Sequence, residues 1–405
     1  MSYTRSLITR RTALLTGAGA IAAPFVVTTP GFGQTGPIKL AGLVSLTGSG
    51  SPFGPNNRAA HQAVVDQVNA AGGLLGRKIE YLSEDDQTNA EAGVRGARKL
   101  IDVDKVSALM SVWASAVGTA VLPLCWENKV MMLAISAADT IAELPHQGYF
   151  VRTQPHTVLQ AKQFAKFILA QNAKSAYLIM PQTPFTESVL TTIRQEVEPK
   201  GVKVGTAVID NKKTSFRSEI DEMVRANPDI FMMGGYVAEN IVMAKDLFRA
   251  GYKGKVMGFA YGIVPAFIDG AGKEAAEGIY SIADPSPAFD SSAYTKLKAL
   301  VKKDQLDTFQ CQAYDHANMA ILAMAKGKDA SGTAIRDNIR KISSNNQSGT
   351  VVDNALDGLK LIAEGKEIKY SGASGPCKFA DNGNIIEVAF RTAQVKDGKI
   401  VEVKM

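Results

Sequence analysis

The residue types that could do chemistry are few, and their spacing is poor for catalysis. Four histidines occur, His61, His146, His156 and His316, and none falls at the spacing of a zinc site. No Gly-x-Ser-x-Gly elbow is present to raise a nucleophilic serine. Gly48, Gly50 and Gly54 lie between a strand pattern and a helix pattern, where a dinucleotide loop would sit. The last gap is one residue too long, and Pro52 and Phe53 stand where a pyrophosphate needs open backbone. The acidic residue about twenty positions on is also missing. The run Glu84-Asp85-Asp86 has the composition of a cation site, but it reads better as a solvated strand end. What remains is a set of aromatic, hydroxyl and small residues, each in a loop that follows a strand pattern. Such loops bind ligands in open α/β sheets.

The elements that would position them begin with a buried strand from Ile38 to Ser45 and a Gly/Ser/Pro-rich loop from Thr47 to Pro55. Ala60, Val64, Val65 and Val68 then make one apolar face of a helix, stopped by Gly72-Gly73. Lys78 to Ser83 completes a βαβ unit. Helices at Glu91 to Val103 and Ala116 to Asn128 alternate with strands at Val106 to Val112 and Val130 to Ile135. The pattern breaks at Tyr149 to Pro155 and starts again. Helices at Leu159 to Gln171, Glu187 to Lys200, Phe216 to Ala226 and Ala238 to Ala250 alternate with strands at Ser175 to Met180, Lys203 to Val208, Ile230 to Met233, Lys255 to Gly258 and Gly278 to Ala283. Two series in the same order predict two similar α/β lobes, each a parallel sheet with helices on both faces. Helices at Tyr294 to Lys303 and Tyr314 to Lys326 follow, and Ser343 to Asn354 and Ile368 to Pro376 read as loops.

Leu46-Thr47-Gly48, Phe53-Gly54, the run Ala70-Ala71-Gly72-Gly73-Leu74-Leu75-Gly76-Arg77 and Glu84-Asp85-Asp86-Gln87 resemble one family. It is the type I periplasmic solute-binding proteins, in particular the leucine/isoleucine/valine-binding group of ABC importers. The resemblance runs through the mature chain. It implies a three-crossing hinge, with lobe 1 from residues 37–155 plus 287–390 and lobe 2 from residues 156–286 plus 391–405. It implies a receptor rather than an enzyme, without cofactor or metal. The ligand would be an amino acid or related small carboxylate or amide, and the partner an ABC permease. An exported cofactor-dependent oxidoreductase is the rival reading.

By the same resemblance Phe53 would form an aromatic wall. Ser115 and Ala116 would offer an anion site at a helix start, next to Trp113. Ala137, Ala138 and Asp139 would supply a carbonyl and a polar group, with Asp139 in the usual Thr or Ser place. Phe185 and Tyr236 would close from the second lobe. Ala260 or Tyr261 falls where amino-acid binders often carry an acid for the ammonium group, and Asp139 could take that role instead. Each aromatic has a plain alternative as a core residue.

Composition limits the remaining classes. The 405 residues suffice for two cores. The net charge of +6 falls to +3 without Arg5, Arg10 and Arg11, so a nucleic-acid patch is not indicated. Residues 1–34 read as an export signal, with Arg10-Arg11 ahead of a modestly apolar stretch that looks like the twin-arginine type. A general secretory signal is the alternative, and either implies a periplasmic protein whose signal is cleaved; the mature protein is expected to be a monomer. Cys125, Cys311 and Cys377 would permit one disulfide, which spacing does not assign, and Cys125 sits in a helix as a small core residue.

Overall fold

The computed structural model describes residues 36–210, 213 and 215–404. The expected export signal lies outside them. In chain order the first lobe contains β1 (Ile38–Val44), α1 (Gly54–Ala70), β2 (Ile79–Asp85), α2 (Ala90–Arg98), β3 (Ala108–Val112), α3 (Ser115–Glu127), β4 (Met131–Ala134) and β5 (Phe150–Arg152). They form a five-stranded parallel sheet in the order β2-β1-β3-β4-β5. Leu40, Leu109, Met132 and Leu133 are fully buried, as a parallel sheet covered on both faces requires. One core lies between the sheet and α2 and α3, and another between the sheet and α1. Gly73 ends the α1 unit at φ +87°. A Cβ there would stand 2.1 Å from the Arg77 carbonyl oxygen, so the turn admits only glycine.

The second lobe contains α4 (Thr157–Ala170), β6 (Ser175–Pro181), α5 (Pro184–Val197), β7 (Lys203–Ile209), α6 (Arg217–Ala226), β8 (Ile230–Met233), α7 (Val237–Ala250), β9 (Lys255–Phe259), α8 (Pro265–Ala271), α9 (Lys273–Ala276) and β10 (Tyr280–Pro285). Its sheet is parallel from β7 to β10 and again has a core on each face.

The chain continues through α10 (Ser292–Val301), α11 (Thr308–Gly327), α12 (Gly332–Ile342), β11 (Thr350–Val352), α13 (Ala355–Ala363), β12 (Ile368–Gly372), β13 (Gly375–Pro376), β14 (Phe390–Lys396) and β15 (Lys399–Val403). α11 packs on α1 and α12 in the first lobe. It is buried without interruption from Thr308 to Ala325, so apolar residues surround it instead of forming one stripe. β14 and β15 join the second sheet beside β10, with β14 antiparallel to both β10 and β15.

Several expectations need correction. The stretches at 343–354 and 368–376 are not simple loops, because β11, β12 and β13 form a small third sheet within them. Strands of two to five residues carry too little alternation to be legible. α11 begins six residues before the expected Tyr314. Asp307 caps it, accepting the Gln310 backbone N–H at 2.8 Å, an Asp-x-x-Gln signature that the sequence does contain. All three cysteines are free and buried. Among the described residues no helix is long and apolar enough to cross a membrane.

Candidate functional site

β3 ends with a bulge at Ser111, whose φ is +59°, and the register against β4 shifts there. The bulge turns Ser111 into the lobe, where its hydroxyl lies 3.0 Å from His61 Nε2 and 3.2 Å from His316 Nδ1. The Ser111 backbone N–H also donates to His316 Nδ1. The opposite nitrogen, His316 Nε2, therefore carries the proton and donates to Thr153 Oγ1 at 2.8 Å. Burial drives His61 down to about 3 and His316 well below the ordinary imidazole value, so both stay neutral. This fixed polar layer sits beneath the residues that follow the strand, Trp113 to Ala116.

Those residues line a cavity of about 510 Å³ between the lobes. From the first lobe come Ser49, Thr88, Trp113, Ser115, Ala116, Ala137, Gln154 and Phe309; from the second come Phe185, Tyr236, Tyr261 and the polar rim at Asp210 and Lys213. Trp113 is the meeting point. Its ring lies 5.9 Å from Tyr236, 5.8 Å edge-on from Tyr261 and 5.7 Å edge-on from Phe309. Tyr261 in turn stacks on Phe259 at 5.0 Å. Aromatic contacts thus bridge the gap between the two lobes. The α3 N-terminus opens on this wall with no side-chain cap, leaving backbone N–H groups for an anion. Ser115 Oγ accepts the Ala138 N–H at 3.1 Å and keeps its own proton to donate.

Seven of the ten expected residues line the cavity: Trp113, Ser115, Ala116, Ala137, Phe185, Tyr236 and Tyr261. The other three stand behind it. Phe53 supports the wall, with its ring 4.9 Å edge-on from Phe309 and 5.7 Å from Trp113. Ala138 is fully buried, and its carbonyl accepts from Arg152 Nη1 at 2.7 Å rather than facing a ligand. Asp139 accepts from His156 Nδ1 at 2.6 Å and from Ser188 Oγ at 2.7 Å. Burial opposes its ionisation, but those hydrogen bonds and the nearby His156 and Arg152 outweigh it and hold the carboxyl below the usual range. The acidic strand end also differs from expectation. Asp86 is fully buried and accepts from Ser45 Oγ, and burial pushes its carboxyl up to about 6. Asp85 ties down the loop that begins at Leu46 through the N–H groups of Leu46 and Thr47. No cluster among the described residues could hold a metal ion.

Sequence reasoning missed Gln154, Gln160 and Phe309. Phe309 lies ahead of Tyr314, the expected start of α11. Gln154 lay in a segment read as a crossing. It is 5 % exposed, and its Oε1 is engaged by Gln312 Nε2 at 2.9 Å, which leaves its amide N–H groups for the cavity.

With two lobes and a cleft between them, the architecture is that of a hinged binding protein. The sequence profile of the periplasmic binding protein family matches residues 37–399, and the chain belongs to that family. It is a binding protein and not an enzyme. It is 26% identical over 309 residues to the leucine-, isoleucine-, valine-, threonine- and alanine-binding protein of Pseudomonas aeruginosa, covering 73% of this chain and 79% of that one. Its fold is similar to a leucine-binding protein of Thermotoga maritima, with TM-score 0.77, 19% identity and coverage of 91% of this chain and 98% of that chain. It is also similar to a solute-binding protein of an ABC transporter from R. palustris solved with benzoate, with TM-score 0.71, 18% identity and coverage of 91% and 96%.

Proposed function

We propose that this chain is an exported receptor of an ABC importer that closes its two lobes on a carboxylate ligand with a bulky or aromatic body. The observation that carries the reading is the composition of the interlobe cavity. Its first-lobe wall offers an anion site, made of the uncapped α3 N-terminus, the Ser115 hydroxyl and the Gln154 amide. Trp113, Phe185, Tyr236, Tyr261 and Phe309 offer flat apolar surface around it. Each aromatic contact is worth about 1 kcal/mol beyond burial. The three crossings of the hinge fall at 155/156, 286/287 and 390/391, and the closed form is what a permease would engage.

Ligand class follows from charge and size. Asp139 is engaged elsewhere, so it is not carried forward as the partner of an ammonium group. The acid on the cavity lining is Asp210, on the rim at the end of β7. A free amino acid would need its ammonium to reach that rim, whereas a carboxylate without an ammonium needs only the α3 end. The cavity, about 510 Å³ and walled by Trp113, Phe185, Tyr236, Tyr261 and Phe309, has room for a body bulkier than that of leucine, and its flat walls suit a substituted aromatic acid.

The test is calorimetry and thermal shift with leucine, phenylalanine, benzoate and larger substituted aromatic carboxylates. The aromatic acids should bind, with a stabilisation of about 2.7 kcal/mol at 100 times Kd. Tight leucine binding with no response to any aromatic acid would refute the ligand class. Export is tested separately: converting Arg10 and Arg11 to Lys should leave precursor in the cytoplasm, and normal delivery of that variant would refute the twin-arginine route.

A further inference from the structure

Asp139 stands outside the cavity, at the seam between the lobes. It opens the 3₁₀ turn Asp139–Glu143 that follows β4, in the first lobe. The loop leading to it is held from within. Arg152, fully buried, donates from Nη1 to the carbonyls of Ser136 at 3.2 Å and Ala138 at 2.7 Å. Its Nε is fixed by Asn384 Oδ1 at 2.7 Å. The carboxylate is therefore presented by a rigid support. One oxygen takes the His156 Nδ1–H in the first crossing segment, and the other takes the Ser188 hydroxyl.

Ser188 belongs to α5 of the second lobe, and α5 packs there against α3 and the 3₁₀ turn. Phe185 lies three residues earlier on the same helix, on the neighbouring face, and lines the cavity. Opening the hinge would carry α5 away and replace this bond with water. A hydroxyl donating to a carboxylate is a charge-assisted bond, stronger than a neutral one.

We propose that Asp139 is an interlobe latch, whose bond to Ser188 favours the closed form and sets Phe185 over the cavity without touching ligand. The latch rests on the hinged-receptor reading above, but it makes a demand of its own: the two side chains must meet in solution. The bond should favour closure by about tenfold. Ser188 and Asp139 are positioning residues.

The experiment uses the mature protein with no added solute, so it does not depend on the ligand class. In the first arm Asp139→Cys and Ser188→Cys are combined and oxidised with copper phenanthroline. The native thiols are buried and do not compete. A 139–188 cross-link, identified by peptide mass, is expected in high yield together with a smaller scattering radius. In the second arm Ser188→Ala is compared with Ser188→Thr in a Trp126→Phe background, so that emission reports Trp113. Ser188→Ala should shift emission to the red and enlarge the radius, with the unfolding midpoint unchanged, and Ser188→Thr should restore both. Absence of the cross-link, or wild-type emission and radius in Ser188→Ala, would overturn the latch. Failure of every carboxylate in the binding panel would instead overturn the ligand class and leave these results standing.

Discussion

Replacing Ser111 with alanine tests whether the bulge in β3 exists to connect two buried imidazoles. The hydroxyl is the acceptor within reach of His61 Nε2, at 3.0 Å, because His61 Nδ1 already faces the Tyr81 hydroxyl at 2.9 Å. His316 Nδ1 is less dependent on it, since the Ser111 backbone N–H remains. Ser111→Ala thus strands one buried N–H, at a cost of about 1–3 kcal/mol. The positive φ is kept, so no strain is released. Ser111→Gly loses the same bond; it gains about 1 kcal/mol from relieved strain and gives back a similar amount in unfolded-chain entropy, so it should fall close to alanine. Thermal melting is a blunt readout here. The folded unit Pro37–Met405 has about 370 residues, and at about 2.1 cal/mol/K per residue a loss of 2 kcal/mol moves Tm by only about 2–3 °C. Urea unfolding is the better assay, run as a double-mutant cycle with His61→Phe. Removing the stranded donor together with its acceptor should recover about 1 kcal/mol or more of the summed losses. A Ser111→Ala protein as stable as wild type, or a coupling within about 0.3 kcal/mol of zero, would refute the argument.

Acidification should expose opposing buried groups. His61 has a depressed folded pKa of about 3, so its contribution is present above the unfolded value near 6.5 and is lost as pH falls, about 2 kcal/mol between pH 7 and pH 5. Asp315 is raised by burial to about 6, so its contribution is present below 3.8 and lost as pH rises through 6; acidification over the same range returns about 1 kcal/mol. Asp315→Asn should therefore lose stability more steeply from pH 7 to pH 5 than wild type, and a shallower slope in urea titrations at the two pH values would contradict this. Gly372→Ala would put a Cβ 1.9 Å from Asp315 Oδ1, within the cluster where that oxygen takes the Tyr370 hydroxyl and the Ala373 N–H; it should cost about 1–3 kcal/mol, measured by urea unfolding. Phe309→Ala removes an edge-on partner of both Phe53 and Trp113 and should lower stability by about 3–5 kcal/mol, with a red shift of Trp113 emission.

Sequence periodicity was most informative where elements were long and repeated. The alternation from Ile38 to Ala283 announced two α/β series because parallel strands are continuous apolar runs and their covering helices carry stripes. It set the start of α11 six residues late, where burial on every side removes the stripe, and missed β11 to β13, which are too short to alternate. Position after a strand, together with the family resemblance, located seven cavity-lining residues, since chain direction puts such loops on one edge of the sheet. It could not tell which side chains face the cavity. Asp139 and Ala138 follow a strand as Ala137 does, yet Arg152, His156 and Ser188 claim them. Those partners lie 14 to 49 residues away along the chain, and no local pattern encodes such pairings.

The three unpaired thiols bear on where the chain can acquire its structure. Cys125, Cys311 and Cys377 are each fully buried, in α3, in α11 and just after β13. Burial pushes all three thiols up, away from the thiolate form that attacks disulfides or oxidants. The native state is therefore indifferent to redox potential. It needs neither an oxidant nor a disulfide isomerase, so the same packed molecule is attainable in a reducing compartment and in an oxidising one.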